Sequence, residues 1–176
     1  NPPIQFQPTQ SDGQDPLLKK QWGMIDMGGP QVWTKYRGKK EMIVAVIDTG
    51  VDYTHPDLNP NMWRNPGETG TDSQGRDKST NGVDDDNNGF VDDVIGWDFV
   101  SNDNKPFDLA VEPLQLLMGG GNPGHGTHCA GNVGARAENG IGVAGVAPNV
   151  KIMPLRFISD KGEGTTADAI KAIRYA

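Results

Sequence analysis

A single cysteine, Cys129, stands among 176 residues, so no internal disulfide can form and sulfur gives no clue to the redox compartment. Basic residues are also short. Sixteen Lys and Arg face 23 Asp and Glu, for a formal net charge of -7, and this removes the basic face that a nucleic-acid binder needs. No apolar run approaches the ~20 residues of a membrane-spanning helix. The chain shows no signal-peptide pattern and no initiating Met; its start at Asn1-Pro2-Pro3 reads as a processed or trimmed terminus. There is no internal repeat.

What is present suits one domain with a real core, rich in loops: 35% hydrophobic residues, 24 Gly and 13 Pro. Residues 1–14 are polar and Pro/Gln-rich, an arm preceding a domain over 15–176. Asp15-Pro16 predicts a short helix over Leu17–Trp22, with Asp15 as its N-cap, and Gly28-Gly29-Pro30 opens a second through Gln31–Tyr36. Ile43–Ile47 is uniformly apolar and largely β-branched, as a central parallel strand should be. Residues 56–80 read as a long loop. Strands follow at Val94–Val100 and Val150–Phe157, a short helix at Leu114–Met118, and longer helices at His125–Arg136 and Thr165–Ala176. The last would place Ala169, Ile170 and Ile173 on its apolar face. Strands alternating with helices predict an α/β fold with a parallel sheet.

Two stretches far apart carry the chemistry. Asp48 ends the first strand, where open α/β sheets gather their ligands, and His125 begins a helix after Gly124. Alone, each reads as readily as a turn former or cap. Together they form two thirds of a nucleophilic triad: a carboxylate that fixes one imidazole tautomer, and a ring nitrogen left free to take a hydroxyl proton. The helix dipole lowers the ring pKa unless a carboxylate offsets it.

A second signal is acidic, within residues 77–93. Asp84, Asp86, Asn88 and Asp92 occupy positions 1, 3, 5 and 9 of a calcium-loop pattern, with Gly89 at position 6 and the Phe90 carbonyl at position 7. Ile95 stands where that pattern has its bidentate Glu, so Asp93 or a more distant carboxylate would complete the shell. The bland alternative is a solvated acidic turn.

Val46-Ile47-Asp48-Thr49-Gly50-Val51-Asp52, His55-Pro56-Asp57-Leu58 and Gly124-His125-Gly126-Thr127-His128-Cys129-Ala130-Gly131 resemble the N-terminal catalytic motifs of the subtilases, the subtilisin-like serine endopeptidases. Gly145-Val146-Ala147-Pro148 and the strand after it fit the same register, and the likeness runs from about Asp15 to Ala176. Cys129 is similar to the thiol beneath the histidine in the thermitase and proteinase K branches, where it confers mercury sensitivity. The resemblance implies a three-layer subtilisin-like fold, incomplete in this chain, with Asp48 as the triad carboxylate and His125 as the general base. It implies polypeptide substrates, secretion, and a backbone edge at Gly162, Glu163 and Gly164 that pairs with a substrate strand; an ordinary glycine turn is the plain reading of that segment. His128 reads as structural and Cys129 as a small buried hydrophobe.

The resemblance also implies bound calcium (Ca2+). One site would use Asp15, Asp57, Asn139 and the carbonyls of Ile141 and Val143, with that of Arg136 as an addition. Another would use Asp98 and Asp103, although Ser101 stands where that pattern has an acid. The family's nucleophile, in a Gly-Thr-Ser segment, and its oxyanion-hole Asn have no counterpart after the third strand. Three readings follow: a nicked protease whose C-terminal fragment carries the serine, a truncated inactive product, or a calcium-stabilised binding module without catalysis.

Overall fold

The computed structural model describes residues 15–108 and 124–176. Its centre is a three-stranded parallel sheet in the order β1-β3-β2, with β1 at Ile43–Asp48, β2 at Trp97–Asp98 and β3 at Lys151–Arg156. Side chains alternate across it as the pleat demands. Val46 and Ile152 face a cluster with Val51, Leu58, Met62, Ala130 and Ala135, whereas Met153 and Leu155 face Trp97, Phe99 and Ala172. Helix α3 (His125–Gly134) covers the first face and α4 (Thr166–Tyr175) the second, so the chain builds helix, sheet and helix in three layers. No helix among the described residues is long and apolar enough to cross a membrane.

Five expectations are corrected. Among the described strands the central one is β3, buried along nearly its whole length, while β1 lies at the edge of the described sheet with Ile43 exposed. The strand expected over Val94–Val100 shrinks to Trp97–Asp98. Pro154, inside β3, has no N–H to offer, and β2 pairs only beyond it, opposite Leu155 and Arg156. Reciprocal backbone bonds between Asp98 and Asp103 then turn the chain away.

The first predicted helix is a single 3-10 turn, Leu18–Lys20, followed by α1 at Trp22–Asp26; α2 spans Gly29–Trp33. The carboxylate of Asp15 leaves the helix uncapped and accepts instead from the N–H groups of Glu138 and Asn139. On α4, Ile170 and Ile173 are exposed and Ala172 is buried against the sheet, because a small residue lets the helix axis approach. Thr165 caps α4, accepting from the Asp168 N–H at 3.0 Å. The expected helix at Leu114–Met118 and the arm over 1–14 lie outside the described residues.

Candidate active site

The strand end and the helix start meet because glycine lets them. A Cβ on Gly126 would stand 2.0 Å from the Gly50 carbonyl oxygen and 3.2 Å from the Asp48 Cβ, so any side chain there would drive α3 off the end of β1. Gly124 enters α3 with φ of 84°, in the left-handed region that glycine adopts without steric cost. The Gly126 N–H then donates to Thr49 Oγ1 at 3.0 Å, locking the first turn of α3 to the strand end.

The resulting geometry is that of an oriented base. His125 Nδ1 lies 2.7 and 2.9 Å from the two Asp48 oxygens, and Asp48 Oδ1 also accepts from the Thr49 N–H at 2.7 Å. A carboxylate only accepts, so Nδ1 carries the hydrogen and Nε2 is the basic nitrogen. The hydrogen bond to Asp48, then the charge of Asp48, raise the His125 pKa above the ordinary imidazole value; desolvation opposes this, and Asp108 adds a smaller upward push. The ring is about half exposed (side chain 47%), so Nε2 can meet an incoming hydroxyl. Among the described residues no serine hydroxyl is hydrogen-bonded to it.

Asp108 escaped the sequence reading. It is buried, accepts from Thr49 Oγ1 and the Gly124 N–H through one oxygen, and from the Thr127 N–H and hydroxyl through the other. It caps the α3 N-terminus from a distant segment and ties β1 to the helix that carries the base. An aspartate in a Pro-Phe-Asp stretch has no local signature for this role; only the fold brings it there.

Cys129 lies one turn below the ring, with Sγ 3.8 Å from His125 Nδ1. Burial, then the charges of Asp48 and Asp108, raise its thiol pKa, which disfavours the nucleophilic thiolate. His128 is exposed and bonds with Asn132, away from the pair. Gly162, Glu163 and Gly164 lie in an exposed hairpin after β3, with the Ser159 N–H donating to the Glu163 carbonyl at 2.8 Å. A Cβ on Gly164 would approach the Phe157 carbonyl to 2.7 Å, so the turn closes only around glycine.

The predicted metal ligands fall into three groups. Asp15 and Asp57, both buried, converge on the 139–143 loop: Asp57 accepts from Asn139 Nδ2 at 2.8 Å and the Val143 N–H at 3.0 Å, while Asn139 Oδ1 accepts from the Ile141 N–H. The Arg136 N–H donates to the Asp57 carbonyl. Neither carboxylate has an ion-pair partner among the described residues, and both oxygens of each accept from N–H groups of this loop or of Glu138. Asp98 is placed otherwise. One of its oxygens accepts from Arg156 at 2.6 Å and the other from the Val100 and Ser101 N–H groups, and Asp103 reaches it through backbone bonds.

In the acidic loop, Asp84 accepts from the Asn88 and Gly89 N–H groups and Asp92 from the Gly82 N–H. Asn88 Oδ1 accepts from the Phe90 N–H. Asp86 and Asp93 instead turn inward to Glu68, a residue the sequence pattern missed. Burial raises the pKa of both Glu68 and Asp93; neighbouring carboxylates add to this, and hydrogen bonds to each oppose it.

Comparison with known proteins agrees with this geometry. The profile described as "Subtilase family" matches residues 39–176. A thermophilic serine proteinase of Bacillus sp. (strain AK1) is 34% identical over 154 residues, covering 84% of this chain and 27% of that protein. Thermitase of Thermoactinomyces vulgaris is 32% identical over 163 residues, covering 92% of this chain and 42% of thermitase. Among solved structures, fervidolysin of Fervidobacterium pennivorans, described as a keratinolytic enzyme related to subtilisin, superposes with a TM-score of 0.60 at 25% identity, over 97% of this chain and 20% of its own. The chain thus spans less than half the length of the curated relatives named here. Matched by the profile over most of its length, with its sheet and paired acid and base where the motifs require them, this chain belongs to the subtilase family.

Proposed function

We propose that these residues form the acid–base part of a subtilisin-like serine endopeptidase, with the nucleophilic serine supplied by polypeptide outside them. The observation that carries this reading is the approach of His125 Nδ1 to both oxygens of Asp48. In the assembled enzyme a serine Oγ attacks the scissile carbonyl while Nε2 of His125 takes its proton. Asp48 stabilises the imidazolium, which then protonates the leaving amine as the acyl-enzyme forms; water repeats the sequence to release the acid. Gly162, Glu163 and Gly164 offer an exposed backbone for an extended peptide. Among the described residues no hydroxyl is hydrogen-bonded to His125, and on this proposal the 176 residues alone are inactive.

Calcium stabilises the fold in this proposal, through Asp15, Asp57, Asn139 and the carbonyls of Ile141 and Val143, and again at the acidic loop. Such loops suit extracellular calcium, and we place the protein outside the cell. Intact-mass analysis of purified active material should show a component carrying a Gly-Thr-Ser segment, and a fluorophosphonate should label it. His125→Ala should abolish turnover and labelling while leaving the far-ultraviolet circular dichroism unchanged. Turnover retained in that variant would reject the assignment. Folded full-length protein that neither hydrolyses peptides nor labels would favour the binding module instead.

A further inference from the structure

Glu68 and two residues of the acidic loop, Asp86 and Asp93, bring one carboxylate oxygen each within 4.8 Å of the others. Glu68 and Asp93 are fully buried, and Asp86 stands exposed at the mouth. No Lys, Arg or His among the described residues forms an ion pair with any of them. Their partners are neutral: Asn65 Nδ2 donates to Asp93 at 2.7 Å and Asp86 at 2.9 Å, Asn88 Nδ2 donates to Asp93 at 2.9 Å, and the Tyr175 hydroxyl donates to Asp93. Glu68 Oε1 accepts from the Asp85 N–H at 2.6 Å and, more weakly, the Asp86 N–H. Its other oxygen, Oε2, is buried with no hydrogen-bond partner among the described residues.

Buried carboxylates left without a counter-charge are costly, and so is a buried oxygen without a donor. One cation would relieve both. We propose that Glu68, Asp86 and Asp93 hold a calcium ion, and that this ion, through Tyr175, fastens α4 to the acidic loop. The inference rests on the calcium reading of that loop and changes its ligands. Both oxygens of Asp84 and of Asp92, positions 1 and 9 of the linear pattern, accept from backbone N–H groups. So does Asp86 Oδ1, from Asn88 at 3.1 Å. Glu68 Oε2 accepts from none, so the ion sits on the inner side with Glu68. The donors are hard carboxylate oxygens, the ligand type that calcium takes. A cavity of about 640 Å³ lined by Asn65, Asp86, Asn88 and Tyr175, with Lys171 and Arg174 also on its wall, reaches the exposed Asp86 edge of the cluster. Gly67 keeps the site compact, since a Cβ there would stand 2.5 Å from Asp86 Oδ2.

The test is calcium stoichiometry and thermal stability of the full-length protein after chelator treatment, with Asp57→Asn used to count the 139–143 site separately. Glu68→Gln should lose one bound calcium and part of the calcium-dependent rise in Tm, whereas Asp84→Asn should keep both. If Asp84→Asn loses the ion and Glu68→Gln keeps it, the loop binds by its linear pattern: the inference fails and the calcium reading stands. If neither loses an ion, the acidic loop holds no calcium and both fail there. A Glu68→Gln protein more stable than wild type with and without calcium would also overturn the proposal, because the cluster would then be held by shared protons. Should Glu68→Gln not fold, hydrogen exchange of the unaltered protein decides: added calcium should slow the amides of Asp85, Asp86 and α4. Slowing confined to Asn88 and Gly89 would sink the idea.

Discussion

Asp93 and Asp98 stand five residues apart and are equally hidden from water, yet their charges are met in opposite ways. Asp98 faces Arg156, a cation built into the chain and buried with it. Asp93 faces only neutral donors and two more carboxylates. A third solution operates at Asp48, whose partner is an imidazole that gains and loses its charge near neutral pH. A resident guanidinium makes a permanent structural pair, a titrating ring makes a pair able to move a proton, and the carboxylates without either are those proposed to take an ion from solution. Residue type alone distinguishes none of the three.

The comparison breaks most severely at Asp48. Asp48→Asn in the full-length enzyme should reduce kcat by about 10⁴-fold, since an amide can hold the ring in the wrong tautomer and cannot stabilise the imidazolium. It should also move the acid limb of the kcat/KM profile to lower pH. In the unaltered enzyme the raised His125 pKa means that the neutral, basic ring accumulates only as pH climbs through that raised value. Removing the charge lets the ring deprotonate earlier. For stability the sign is opposite: the contact helps fully below the ordinary imidazole pKa, and its contribution fades as pH rises through the raised one.

Next in size is the built-in pair. Arg156→Ala should cost about 3–5 kcal/mol in chemical denaturation, because it leaves Asp98 buried without its counter-charge. A cost below about 1 kcal/mol, the range of exposed ion pairs, would show that water reaches Asp98 and would erase its contrast with Asp93. The smallest effect belongs to Asp108. Asp108→Asn should shift the acid limb in the same direction as Asp48→Asn but less, since its charge is the lesser influence on the ring. The loss of a cap for α3 should add about 1 kcal/mol of destabilisation. An unmoved pH profile would leave Asp108 a purely structural cap.

Much of this was legible in local pattern. A β-branched run ending in Asp48 announces a strand that delivers an acid, and Gly124-His125-Gly126 announces a helix entered at close quarters. What stayed hidden depended on contacts across the sheet. The length of β2 hinges on Pro154 of another strand, and the buried face of α4 on how closely Ala172 can approach. Glu68 lies 16 residues before the loop it completes, in a Gly-Glu-Thr stretch that fits no ligand pattern.

By itself, then, the sequence determined which residues carry proton chemistry and negative charge, and the period of the elements that hold them, because both are properties of side chains and near neighbours. Only the tertiary structure decided which partner each buried carboxylate meets: a fixed guanidinium, a titrating imidazole, or other carboxylates. Compensation of charge acts through space over a few ångströms, and those ångströms are set by how helices and strands pack, not by distance along the chain.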